Sequence, residues 1–108
     1  MRQFIYSNDL AKIIVLLLNE IQYNESLIIS PDSSHEISIQ KISQLIANEF
    51  NYIDKLRYDT SKNDGQYRKT VDNTKFKKHY HNFEFINIEN GIKETVQWFQ
   101  NNYNTCRK

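Results

Sequence analysis

Between residues 59 and 69 the chain runs Asp59-Thr60-Ser61-Lys62-Asn63-Asp64-Gly65-Gln66-Tyr67-Arg68-Lys69, the one stretch where polar, charged and conformationally permissive residues gather between apolar segments. Gly65 is one of two glycines and follows Asp64 directly. An Asp-Gly pair suits a tight turn, because glycine accepts positive φ at no steric cost. Arg68 and Lys69 come just after it. A carboxylate, backbone N–H groups and two cations can converge there on one anionic ligand that also carries hydroxyls. That is the chemistry of a sugar nucleotide or another phosphate ester. The alternative is a polar turn with solvated charges, the ordinary condition of a surface loop.

Charge is concentrated at the same place. Fourteen Lys and Arg against thirteen Asp and Glu leave a net charge of +1, so no global field points to nucleic acid or an anionic membrane. Residues 1–50 hold three cations and six anions, whereas residues 55–78 hold eight cations and three anions. This local excess fits a polyphosphate-binding margin or a solvated face better than a nucleic-acid stripe, since no aromatic stacking platform is recognisable beside it. His35, His79 and His81 do not fall at helical ligand spacing. Closed metal sites need three or four convergent ligands, and no metal site is expected. The single Cys106 excludes a disulfide framework or a Cys-x-x-Cys pair and fits a reducing, cytoplasmic compartment. The apolar run Ile13–Leu18 is far shorter than the roughly 20 residues a bilayer span needs, and no signal peptide is recognisable.

The loop needs a scaffold, and 108 residues with 39% apolar content make one small domain. Arg2–Tyr6 reads as a short strand, after which Ser7 is the expected N-cap of a helix with Asp9 in its first turn. Leu10, Ile13, Ile14, Leu17, Leu18 and Ile21 share one wide face of that helix, and Val15 and Leu16 make a second side apolar. A helix of this kind is normally sandwiched between layers, which points to a partner surface beyond this chain. Leu27-Ile28-Ile29 reads as a short buried strand stopped by Pro31. Ser38 caps a second helix with Ile39, Ile42, Leu45, Ile46 and Phe50 on one face, and Leu56 and Tyr58 alternate with charges as a half-exposed strand does. Asp72 or Asn73 starts a short basic helix through Lys78. Phe83–Ile86 is ambiguous between strand and loop. Asn87 caps a last helix with Ile88, Ile92, Val96 and Phe99 as its buried face, and Trp98 and Phe99 read as core rather than as a ligand platform. The expected fold is an α/β domain of short strands and about four helices.

The string DTSKNDGQYRKT at residues 59–70 resembles the C-terminal signature of the GDP-L-fucose synthase family, the 3,5-epimerase/4-reductases of GDP-4-keto-6-deoxy-D-mannose within the extended short-chain dehydrogenases. RQFIYSNDLAKIIVLLL, ISIQKISQLIANEF and NGIKETVQWFQNNY resemble the same family in the same order, closest to its eukaryotic form. The resemblance covers essentially the whole chain. It implies a substrate-binding C-terminal lobe, residues 1–108, lacking the NADP-binding Rossmann domain of the full-length enzyme. It also implies that Arg2 and Lys69 approach the diphosphate of a GDP-sugar and that Asp64 contacts the nucleotide-sugar portion. The family reduces with NADPH held by a glycine-rich turn and with a Ser and Tyr-x-x-x-Lys set, and epimerises with a Cys and a His. Those groups are expected outside this chain, and Cys106 stands at the wrong end to be one of them. The chain is therefore expected to bind no cofactor and to be non-catalytic alone, with a Rossmann-domain partner or self-association completing it. The alternative is a non-catalytic remnant serving as a protein-interaction module.

Overall fold

The computed structural model describes residues 1–20, 26–63 and 65–107; Ile21 and Asp64 of the expectations above lie outside them. Four helices form, α1 (Ser7–Asn19), α2 (Ile39–Glu49), α3 (Thr74–His79) and α4 (Ile88–Asn102), with 3₁₀ turns at Ser33–His35 and Ile53–Lys55. Two of the expected caps are made as anticipated: the Ser38 side chain accepts from Lys41 N and the Asn87 side chain from Asn90 N. Ser7 is not a cap. It is the first helical residue, and Tyr6 precedes it without a side-chain cap bond. At α3 Asn73 makes no side-chain cap, but the Asp72 carboxylate accepts from Thr74 N at 2.8 Å. At the end of α2, Tyr52 N bonds Ala47 O and Asn51 N bonds Asn48 O, with Asn51 at φ 54°. That pairing closes the last turn around a left-handed residue, a position asparagine tolerates better than other non-glycine residues.

The expected strands shrink to two isolated bridges, both at Arg2: antiparallel to Ile37 and parallel to Lys69. Arg2 N donates to Ile37 O and Ile37 N to Arg2 O, each at 2.9 Å. The segments 27–29, 56–58 and 83–86 carry no ladder. Alternation and β-branching describe a chain fit to pair, but a strand exists only where another backbone offers its N–H and C=O groups. Among the described residues that backbone is present on either side of Arg2 and nowhere else.

Burial is concentrated in two places. Phe76 of α3, 1% exposed, is ringed by Tyr80, Phe83 and Phe85 at centroid distances of 5.3, 6.2 and 5.8 Å. Edge-to-face and offset arrangements of this kind add to the area term. Ala47 of α2 and Ile92 and Val96 of α4 are buried, and the ends of α2 and α4 meet through Phe50 and Phe99, edge to face at 6.3 Å. Side chains tie α1 to both parts. Asp9 accepts Ile86 N at 2.8 Å, Glu20 accepts the Tyr80 hydroxyl at 2.5 Å, and just ahead of α1 the Tyr6 hydroxyl donates to Glu94 of α4 at 2.8 Å.

Much apolar surface stays outside. On α1 only Ile13 is buried among the apolar residues, while Ile14, Val15, Leu16 and Leu18 are exposed, Leu18 by 71%. On α2 the expected face is likewise open at Ile39 and Ile46, and Trp98 of α4, expected in the core, is 57% exposed. The accessible surface is 8851 Å², where a compact monomer of 13.0 kDa would show about 6,300 Å². The radius of gyration is 16.6 Å against about 13 Å for a compact chain of this length. Helical stripes mark faces that want cover, and the chain does not supply enough of it.

Candidate functional site

Arg2 is the pivot of the site. Its backbone pairs with Ile37 on one side and lies beside Lys69 on the other, where Lys69 N donates to Met1 O at 3.4 Å. Its guanidinium reaches along the loop: Nη1 donates to Met1 O at 2.7 Å and Nη2 to Gln66 O at 2.8 Å. Two residues 67 positions apart in sequence thus stand side by side. Gln3 braces the same arrangement, donating to Pro31 O at 2.8 Å and accepting from Val71 N at 2.9 Å. The Lys69 side chain is exposed and meets no carboxylate among the described residues.

The loop differs from its sequence-based expectation in three respects. Gly65 does not adopt positive φ, and a Cβ there would meet nothing within 4 Å. Earlier in the loop the Asp59 carboxylate makes a turn of its own, accepting both Ser61 N at 2.9 Å and Ser61 Oγ at 2.6 Å. Those bonds, the hydroxyl first, hold the Asp59 carboxyl below the usual range. Secondly, Arg68 does not join Lys69 as a free cation. Its Nε donates to Glu36 at 2.7 Å, and Thr70 also donates to that carboxylate. The Thr70 hydroxyl and then the Arg68 charge lower the Glu36 pKa. Thirdly, Asp64 lies outside the described residues, so of the three expected ligands the structure places Arg2 and Lys69 together.

Tyr58-Asp59-Thr60-Ser61-Lys62 has the Tyr-x-x-x-Lys spacing, but it is not helical. Residues four apart share a face only on a helix, and the Tyr58 hydroxyl lies 3.2 Å from Ser43 Oγ on α2. No catalytic pair results. Neither glycine forms a phosphate turn: Gly91 is inside α4, where a Cβ would meet Tyr6 at 3.6 Å, and Gly65 opens no helix. The described residues therefore do not fit the pyrophosphate of a dinucleotide. They hold no cluster of three or more His, Cys, Asp or Glu able to bind a metal, and no described helix is long and apolar enough to cross a membrane.

A cleft of about 650 Å³ lies between residues 4–6, α2 and α4, lined by Phe4, Ile42, Ile46, Phe50, Ile92 and Trp98 among others, with Glu36 and Ile37 at its margin. Sequence reasoning assigned several of these residues to the core. A stripe of period 3.6 cannot distinguish a packed face from the wall of an open cleft. Arg2 and Lys69 do not line it. On the other side of the same region Asp32, Asn73 and Lys77 join in a polar cluster: Asn73 donates to Asp32 and to Ser30 O at 2.9 Å each, and Lys77 pairs with Asp32 at 2.9 Å. The Asn73 amide first, then Lys77, lower the Asp32 pKa.

Helices with uncovered apolar faces thus hang on an extended segment whose bridges join Arg2 to the loop. Two crystal structures of a GDP-L-fucose synthetase from Naegleria fowleri superpose with TM-scores of 0.89 and, for the form bound to NADP, 0.90. Each is 42% identical and is matched over 99% of this chain, which covers 33% and 32% of them respectively. The GDP-L-fucose synthase of Dictyostelium discoideum is 46% identical over all 108 residues, and a probable GDP-L-fucose synthase of Drosophila melanogaster 38%. The chain covers 34% of each, so it spans about a third of the length of the curated relatives it matches. No family model matches. Over its whole length the chain is similar to about a third of these GDP-L-fucose synthases, as a C-terminal fragment of such an enzyme would be.

Proposed function

We propose that residues 1–108 form the GDP-sugar-binding portion of a GDP-L-fucose synthase-like epimerase/reductase, acting on GDP-4-keto-6-deoxy-mannose together with a Rossmann-type partner that carries NADP and the catalytic groups. The observation that carries this reading is the backbone bridge between Arg2 and Lys69, which brings the main chains of two cationic residues together beside a hydroxyl-rich loop. A guanidinium offers a planar fork to phosphate oxygens and an ammonium a point charge, so the pair suits a diphosphate. Asp64 contributes a carboxylate to the hydroxyls of the same ligand. In this reading the chain alone performs neither reduction nor epimerisation and holds no cofactor. Its uncovered surface supports the need for a partner: the excess over a compact monomer, about 2,500 Å², is more than one side of a standard interface.

The test is calorimetric titration of the chain with GDP, alongside Arg2→Ala, Lys69→Ala and Asp64→Ala. Loss of one charge-assisted bond to phosphate, about 1.5–3 kcal/mol, weakens binding by roughly 10- to 100-fold for each cation. A folded chain that does not bind GDP, or variants that bind as tightly as the parent, would refute the proposal.

A further inference from the structure

Glu36 stands at the point where both candidate phosphate ligands are held. Its side chain is 5% exposed, and both carboxylate oxygens are engaged, Oε2 by Arg68 Nε at 2.7 Å and Oε1 by the Thr70 hydroxyl. The next residue, Ile37, exchanges both backbone bonds with Arg2 at 2.9 Å. One dipeptide therefore anchors Arg2 through its main chain and both neighbours of Lys69 through a side chain.

In extended backbone successive side chains point to opposite faces. Lys69 lies in such backbone, bridged in parallel to Arg2. A carboxylate that grips residues 68 and 70 from one face turns residue 69 to the other. We infer that Glu36 is a positioning residue, which fixes the 68–70 segment so that the Lys69 ammonium is presented beside Arg2 to the diphosphate of the ligand. The inference rests on the GDP-sugar reading above. The same grip neutralises Arg68, so the site keeps two directed cations in place of three unspecific ones. Arg68 is 57% exposed, and an ion pair with a half-exposed arginine adds little to global stability. The effect of Glu36 is therefore local, on the loop.

The experiment uses the full chain with Glu36→Ala and Glu36→Gln and reads amide exchange by NMR, thermal midpoint and GDP affinity together. The expected result is exchange at Lys69 at least tenfold faster, GDP binding weakened about five- to tenfold, and a thermal midpoint shifted by no more than a few degrees. Glu36→Gln, which keeps one acceptor oxygen but loses the charge, should fall between Glu36→Ala and the parent. Unchanged exchange at Lys69 in Glu36→Ala would overturn the inference, as would faster exchange with unchanged GDP affinity. If the parent chain itself binds no GDP while Glu36→Ala still frees Lys69, the positioning of the loop stands and the GDP-sugar reading falls.

Discussion

Asp9→Ala removes a bond to the backbone beside the wall of the cleft. The Asp9 carboxylate is 2% exposed and accepts Ile86 N at 2.8 Å, directly ahead of the Asn87 cap of α4. Alanine leaves that partly buried N–H without an acceptor, at a cost of about 1–3 kcal/mol. It also removes an acid from the first turn of α1, about 0.3–1 kcal/mol, and a pair with Lys12, itself 68% exposed and 3.4 Å away, which contributes about 0–1 kcal/mol. Together these give a loss of about 1–5 kcal/mol, a large share of the roughly 5–15 kcal/mol that stabilises a domain. For a chain of this size the thermal midpoint should fall by about 5–20 °C. Asp9→Asn keeps an acceptor oxygen and should lose only the two charge contributions, about 0.3–2 kcal/mol. Urea and thermal denaturation measure the difference, and exchange at the Ile86 amide reports its location. A loss below about 0.5 kcal/mol for Asp9→Ala would refute the account, because it would mean that Ile86 N finds another partner. Equal losses for Ala and Asn would shift the cause from the hydrogen bond to the charge.

Gly91→Ala should stabilise the chain by about 0.5–1 kcal/mol, because a Cβ there meets Tyr6 and Ile86 at 3.6 Å, ordinary contact distance; a lower denaturation midpoint would show that α4 cannot accept it. Phe76→Ala should cost about 3–5 kcal/mol and disperse the ring cluster of Tyr80, Phe83 and Phe85, which near-UV circular dichroism will register as lost aromatic signal. Asp32 and Glu36 both titrate below their ordinary values. Carboxylates depressed in the folded state contribute stability that is complete above their unfolded values and is lost as pH falls through the folded ones. Denaturation midpoints should therefore decline below about pH 4, and the Asp32→Asn/Glu36→Gln double variant should flatten that decline.

The sequence by itself determined the four helices and much of their punctuation. Ser38 and Asn87 cap where their side chains can accept from the third residue on, and the apolar periods of α1, α2 and α4 mark real faces. Ser7 misled because a good capping residue is equally at home one position inside, where nothing in its neighbours distinguishes the two. The loop was legible as a concentration of charge, and the resemblance singled out Asp64 and Lys69 within it and Arg2 at the other end of the chain. What each cation does was not legible there. Arg68 and Lys69 are adjacent, exposed and alike in charge, yet one is gripped by Glu36 and the other meets no carboxylate among the described residues. That division follows from a carboxylate 32 positions away, and a linear pattern carries no record of which distant residue will stand opposite. The same limit explains the strands and the cleft. Pairing and cover are relations between separate segments, so the tertiary structure alone could decide that Arg2 has backbone on both sides while Leu18 and Trp98 remain exposed.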